Sequence, residues 1–92
     1  MTAPVLVHEV RPAYSVNAMR AKLQGIVEME VVVLPDGSVD PTRIRVSRSL
    51  DAIFGLDREA VAAVRQWRFR PGRFQGQPVA VRVNVELTFS LR

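Results

Sequence analysis

The last segment of the chain, residues 79–91, constrains the fold more than any other part of the sequence. Apolar residues occupy every second position: Val79, Val81, Val83, Val85, Leu87, Phe89 and Leu91. Small or polar residues lie between them: Ala80, Arg82, Asn84, Glu86, Thr88 and Ser90. Because successive side chains of a strand point to opposite faces, this pattern predicts a long strand with one buried and one solvated face.

Two further strands are predicted upstream. Residues 25–34 carry apolar side chains on both faces, which is typical of a central strand. Pro35-Asp36-Gly37-Ser38 has the composition of a tight turn, and residues 39–47 are predicted to return as the next strand, with Ile44 and Val46 inward. Pro41 has no N–H for a ladder, so we expect this strand at an edge or with a bulge at its start.

Two helices complete the predicted elements. Ser15 can cap a helix that runs to about Leu23, and Asp57 can cap a second helix that runs to Gln66. The apolar residues of the second helix fall on one stripe: Ala60, Val61, Val64 and Trp67. Each helix therefore has one apolar face to bury.

The order helix, strand, strand, helix, strand predicts an α+β fold with two layers. We expect a three-stranded antiparallel sheet in the order second, first, third, with both helices on one face. The last strand then lies at an edge of the sheet. A chain of 92 residues supports one core, so a single domain over residues 1–92 is expected.

Composition argues against several kinds of site. The chain has no cysteine, which excludes disulfide frameworks, thiolate metal sites and cysteine nucleophiles. His8 is the only histidine, and no second ligand or nucleophile is placed to serve it. The aspartates are explained by turns and helix caps: Asp36, Asp40, Asp51 and Asp57. We therefore predict no catalytic, cofactor or metal site, and no enzyme activity.

A set of short motifs runs along almost the whole chain. In order they are Arg11-Pro12-Ala13-Tyr14, the alternating strand before Pro35-Asp36-Gly37, Leu56-Asp57-Arg58-Glu59-Ala60, Trp67-Arg68-Phe69-Arg70-Pro71-Gly72 and Gly76-Gln77-Pro78-Val79. With this set the chain resembles the TonB C-terminal domain family over roughly residues 5–92. Two positions depart from the family pattern: Ser15, where members usually carry proline, and Arg11, where the well-studied transducers have glutamine.

The resemblance implies a TonB/TolA C-terminal-like fold and a non-catalytic, protein-binding domain of an energy transducer. Such a domain lies in the periplasm and binds the TonB box of a TonB-dependent outer-membrane transporter by strand addition, coupling inner-membrane energy to uptake. Inner-membrane motor proteins would act through a part of the parent protein outside this chain. The apolar run at residues 5–7 is too short for a signal or membrane segment, so we expect the anchor elsewhere.

Six side chains are expected to contact the partner: Arg11, Tyr14, Arg82, Asn84, Glu86 and Thr88. Four of them lie on the solvated face of the last strand, where they could equally be solvent-exposed side chains that contact no partner. The hydroxyl of Tyr14 could instead cap the edge of the core. Arg11 is expected to favour acidic partner segments.

Two alternatives use the same features differently. The edge strand could pair with a second copy, giving a strand-swapped homodimer with a structural or assembly role in the cell envelope. Residues 67–74 interleave cations with aromatic rings, which is typical of nucleic-acid stacking platforms. Their spacing favours Trp67 and Phe69 in the core with Arg68 and Arg70 outside, so nucleic-acid binding is not expected.

Overall fold

The computed structural model describes residues 1–91, and an antiparallel sheet of three strands is its largest unit. In chain order the elements are β1 (Val5–His8), α1 (Val16–Arg20), β2 (Gly25–Val33), β3 (Arg45–Arg48), α2 (Leu56–Val64), β4 (Arg68–Arg70), β5 (Gly72–Phe74), β6 (Gln77–Val79) and β7 (Val81–Phe89). The large sheet has the order β3-β2-β7, while β1 pairs with β4 and β5 pairs with β6. The predicted α+β class, with two helices and antiparallel pairing, is confirmed.

The central strand β2 organises the core. Its alternate residues Val27, Met29, Val31 and Val33 are fully buried and form one cluster with Leu87 and Phe89 of β7. The buried residues of both helices join the same cluster: Ala18, Leu56, Ala60, Ala63 and Val64. Both helices therefore cover one face of the sheet, which is how an α+β fold buries two amphipathic helices.

The other face of the sheet is charged. Glu30 accepts from Arg45 at 2.8 Å, and Glu28 lies 3.4 Å from Arg48, so each glutamate of β2 pairs with an arginine of β3. The Arg45 guanidinium, which bonds to Glu30, holds the pKa of that carboxyl below its usual range. Such solvated ion pairs contribute little to stability, and they leave this face open.

The first helix begins as predicted, and the second does not. The Ser15 hydroxyl accepts the Ala18 N–H at 3.1 Å, so Ser15 caps α1. The prediction that Asp57 caps α2 is wrong, because the capping position lies two residues earlier, at Gly55, which is in the left-handed region with φ 90°. The Asp57 carboxylate faces backwards and accepts the N–H groups of Leu50 at 2.9 Å and Asp51 at 3.0 Å.

Asp51 provides the acceptors that the start of α2 needs. Its carboxylate accepts the N–H groups of Ile53 at 2.9 Å, Phe54 at 3.0 Å and Leu56 at 3.1 Å. The Leu56 N–H is one of the orphan donors of the helix start, and the residue is fully buried. A buried carboxylate therefore replaces the predicted cap and orders the loop before α2.

Stability is expected to depend on pH through Asp51. The Phe54 N–H is the main group that holds the pKa of Asp51 below its usual range, with Leu56 and Ile53 adding to it and burial opposing it. Since the folded pKa is the lower one, this stabilisation is present above the unfolded value of about 3.9 and is lost as the pH falls through the folded pKa. We expect Asp51→Asn to melt at a lower temperature than the parent near neutral pH. In thermal melts, the difference in melting temperature between the two proteins should become smaller below about pH 4. A difference that stayed constant there would contradict this account.

Two predicted strands are shorter than their sequence patterns. Residues 79–91 do not form one strand, because the ladder breaks at Ala80: residues 77–79 pair with β5 and residues 81–89 pair with β2. The return strand predicted over residues 39–47 pairs with β2 only at residues 45–48, after a single bridge between Val39 and Val33. Asp40 forms a turn before it, accepting the Thr42 N–H at 2.9 Å, and Pro41 lies inside that turn.

The amino-terminal segment is ordered against the body of the domain, which the sequence pattern did not predict. In the β1–β4 pair, Leu6 lies opposite Phe69. The Trp67 indole N–H donates to the Val10 carbonyl at 2.9 Å. Tyr14 donates its hydroxyl to the Leu23 carbonyl and packs edge-on against Phe89, with ring centroids 5.4 Å apart. Residues 4–14 are therefore held at several points along the domain.

Candidate partner-binding groove

The carboxy-terminal strand β7 has one unpaired side. Its other side pairs with β2 from Val81, opposite Val33, to Phe89, opposite Gly25. Within residues 1–91 no further strand joins the sheet beyond β7. An edge strand of this length presents a row of free backbone donors and acceptors, which is a template for another extended chain.

A groove runs beside this edge, and we call it the edge groove. Residues 83–90 form one wall and residues 4–14 form the other. It consists of two neighbouring cavities of about 450 Å³ and about 750 Å³, and Glu9 and Glu86 border both of them. The first cavity lies toward Val83 and the second toward Ser90.

Close contacts lie near both ends of the groove. Near Val81, a Cβ atom on Gly72 would lie 2.6 Å from the Val81 Cγ2 atom and 3.0 Å from the Thr2 carbonyl oxygen, so only glycine permits this approach. At the other end, the contact between Tyr14 and Phe89 joins the walls. The edge groove is thus a trough along β7 whose walls meet at the contact between Tyr14 and Phe89.

The sequence-predicted contact residues are mostly brought together here. Five of the six line the edge groove: Arg11, Tyr14, Asn84, Glu86 and Thr88. Arg82 lines neither cavity of the groove and borders Glu30 and Arg45 on the open face of the sheet, a face that Asn84 and Glu86 share with it. The Tyr14 hydroxyl donates to the Leu23 carbonyl, so what Tyr14 offers the groove is its ring.

Several lining residues were missed by sequence reasoning. Pro4, Leu6 and Glu9 belong to the wall opposite β7, and their position follows from the pairing of β1 with β4. The apolar run at residues 5–7 was the available signal for that strand. Trp67 and Phe69 also border the groove, although both are buried as predicted, with 3% and 9% of their surface exposed.

The charges in the edge groove are unevenly matched. Within residues 1–91 neither Glu9 nor Glu86 has an ion-pair partner. In the ladder Glu86 lies directly opposite Glu28, which is already paired with Arg48. Like charges in directly opposed positions of a sheet repel each other. Glu86 therefore lies beside a second glutamate on the open face of the sheet, where both border a further cavity with Glu30 and Ser47.

A metal site and a membrane-spanning helix are two further features to consider for this chain. Among residues 1–91 no three His, Cys, Asp or Glu side chains lie together in a way that could hold a metal ion. No helix in this part of the chain is long and apolar enough to cross a membrane.

Two bacterial proteins align with most of the length of this chain. Protein TonB of Xanthomonas campestris pv. campestris is 38% identical over 81 residues, which cover 87% of this chain and 34% of that protein. Protein TonB of Vibrio cholerae is 32% identical over 89 residues, covering 96% of this chain and 35% of that protein. The chain thus spans about a third of the length of these relatives.

Structural comparison and a family profile point the same way. The solution NMR structure of the Pseudomonas aeruginosa TonB CTD superposes with a TM-score of 0.74 and 25% sequence identity, covering 99% of this chain and 89% of that one. The profile described as Gram-negative bacterial TonB protein C-terminal matches residues 10–91. The chain therefore belongs to the family of TonB C-terminal domains.

Proposed function

We propose that this chain is the partner-binding domain of a TonB-like energy transducer and that it binds the TonB box of an outer-membrane transporter by strand addition. The unpaired side of β7, which faces the edge groove over most of its length, is the observation that supports this function most directly. An extended peptide would add its backbone to β7 and its side chains to the groove. No catalytic step is involved, and the domain acts by binding alone.

The structure around the groove is suited to binding a segment that is under mechanical force. The wall formed by β7 is tied to β2 by a ladder of nine residue pairs. The opposite wall is tied down at Val10, through Trp67, and at Tyr14, through Leu23. A force on the bound segment would act on several ladder bonds together. It would be transmitted from β7 to the central strand of the sheet. In the parent protein we place this domain in the periplasm, with an inner-membrane anchor and motor proteins acting through other parts.

An NMR titration tests this function. Labelled domain is titrated at moderate salt with peptides from the amino-terminal segments of candidate outer-membrane transporters. We expect the largest amide shifts at residues 81–90 and at residues 9–15, since both walls contact the peptide. Arg11 remains a predicted contact for an acidic side chain of the partner.

The same experiment separates the alternative in which the edge serves self-association. In that case dilution of the domain alone would move the amides of β7 and no peptide would do so. A titration in which neither peptide nor dilution affected residues 81–90 would refute both uses of the edge. High salt would abolish a response that arose from non-specific charge attraction.

A further inference from the structure

The ribbon formed by β1 and β4 has one face that the edge groove does not use. In the ladder Val5 lies opposite Arg70, and Leu6 lies opposite Phe69. Leu6 and Phe69 border the groove, and because side chains alternate along a strand, Val5 and Arg70 lie on the opposite face. Arg68 lies two residues before Arg70 on the same strand, so it shares that face.

The apolar residues on this side of the domain are open to solvent. Val5 is 50% exposed, and Val7, which lies at the irregularity of the ladder, is 56% exposed. Just beyond the ribbon, Phe74 is 51% exposed. Its neighbour Arg73 is joined to Thr2 by two backbone bonds, which continue the pairing of the two segments. We call this surface the ribbon face, and its members are Val5, Val7, Arg68, Arg70, Arg73 and Phe74.

The arginines of the ribbon face are not matched by carboxylates. Arg68, Arg70 and Arg73 are exposed, and within residues 1–91 none of them belongs to an ion pair. The arginines of β3, in contrast, are each paired with a glutamate of β2. Asp36 attracts Arg68 from beyond ion-pair distance, and its carboxylate already accepts the Ser38 N–H at 2.9 Å. The ribbon face therefore carries an excess of positive charge.

The sequence explains why this charge is not compensated locally. No aspartate or glutamate occurs in residues 1–8 or between Glu59 and Glu86, and the second of these stretches contains five arginines. The fold pairs the two stretches with each other through β1 and β4. The ribbon that they form has no acidic residue of its own.

We propose that the ribbon face docks on the surface of a lipid bilayer that contains anionic phospholipid. The arginines would contact phosphate groups, and Val5, Val7 and Phe74 would enter the boundary between the headgroups and the acyl chains. This surface is separate from the edge groove, and the inference goes beyond the proposed function without depending on it.

Two observations favour a bilayer over a nucleic acid as the occupant. Trp67 and Phe69, the rings that could form a stacking platform between the arginines, are buried. The exposed apolar groups of β1 are aliphatic instead, and valine side chains are stabilised by leaving water rather than by stacking on bases. Cations beside exposed aliphatic groups therefore match an anionic membrane interface.

Vesicle sedimentation tests this docking. Vesicles of phosphatidylcholine alone are compared with vesicles of equal parts phosphatidylcholine and phosphatidylglycerol. We expect binding to the anionic vesicles only, and a decrease in binding as salt screens the attraction. Arg68→Gln and Arg70→Gln should each weaken this binding about fivefold, as expected for one arginine near an anionic surface. Val5→Ser should weaken it about threefold, because half of a valine side chain no longer leaves water.

Arg58→Gln is the matched control, because it removes the same charge from an exposed position in the first turn of α2. Its vesicle binding should equal that of the parent. If Arg58→Gln weakens binding as much as Arg68→Gln does, net charge alone is responsible and the ribbon face is refuted. Equal binding to both kinds of vesicle, or binding to neither, would also overturn the proposal. Binding of a single-stranded oligonucleotide that depends on Arg68 and Arg70, without vesicle binding, would identify a nucleic acid as the occupant instead.

A second measurement locates the contact on the domain. Bicelles that carry a spin-labelled lipid should broaden the amide signals of residues 5–8 and 68–74 more than those of α2, and the reverse pattern would contradict the proposal. Arg68 and Arg70 line neither cavity of the edge groove, so both variants should bind transporter peptides with the affinity of the parent. A failure of membrane docking would therefore leave the proposed function standing.

Discussion

Replacement of Trp67 by alanine is expected to lower the free energy of unfolding by about 3–5 kcal/mol, as for other large core side chains. Only 3% of the Trp67 surface is exposed, and its ring lies 6.4 Å from that of Phe69. The substitution also removes the indole N–H that donates to the Val10 carbonyl. The loss therefore combines a cavity in the core with release of the segment that forms one wall of the groove.

Urea denaturation followed by circular dichroism measures this change. Trp67→Phe is the matched control, because it keeps an aromatic ring in the core and removes the donor to Val10. We expect Trp67→Phe to lower the free energy of unfolding by much less than Trp67→Ala does. A midpoint for Trp67→Ala close to that of the parent would show that the side chain contributes little packing, and it would reopen a surface role for the aromatic residues.

Proline in the middle of β7, at a position whose N–H points to the open side, is expected to abolish binding of an extended peptide. Proline has no N–H and disturbs a ladder, and Val85 lies in the middle of β7, opposite Met29. Successive N–H groups along a strand point to opposite edges. Of the two variants Val85→Pro and Asn84→Pro, one therefore removes a donor toward β2 and the other removes a donor toward the open side.

Testing both proline variants makes the experiment informative even if one of them unfolds. The variant that loses a bond to β2 should be the less stable, and the other should stay folded with a peptide affinity reduced at least about tenfold. NMR spectra identify the folded variant, and the peptide titration then measures its affinity. A folded proline variant with the affinity of the parent would rule out strand addition at this edge.

The sequence predicted the parts of the fold that depend on local periodicity. Alternation in residues 25–34 and 79–91 located β2 and β7, and the stripe of Ala60 and Val64 gave the buried face of α2. The break at Ala80 could not be read from the same alternation, because the apolar pattern continues through it. It arises because residues 77–79 pair with β5 across a tight turn at Gln75 and Gly76.

The parts that were missed depend on contacts between distant residues. The exposed strand β1 has no alternation that would separate it from a loop, and it is defined by pairing with β4 more than sixty residues later. Asp51 and Asp57 both looked like turn or cap residues, and only the folded loop decides which of them accepts the Leu56 N–H. The lining residues on β7 were predicted better than those on the opposite wall, because the opposite wall depends on such distant contacts.

The edge groove joins residues from the two ends of the chain, and this has a consequence for folding. Residues 4–14 and residues 83–90 become neighbours only after everything between them has been placed. Contacts of such large sequence separation form late, because the cost of closing a long loop must be met first. A nascent or partly unfolded chain would therefore present helices and a partial sheet but no trough, so partners would find their binding site only on molecules that have finished folding.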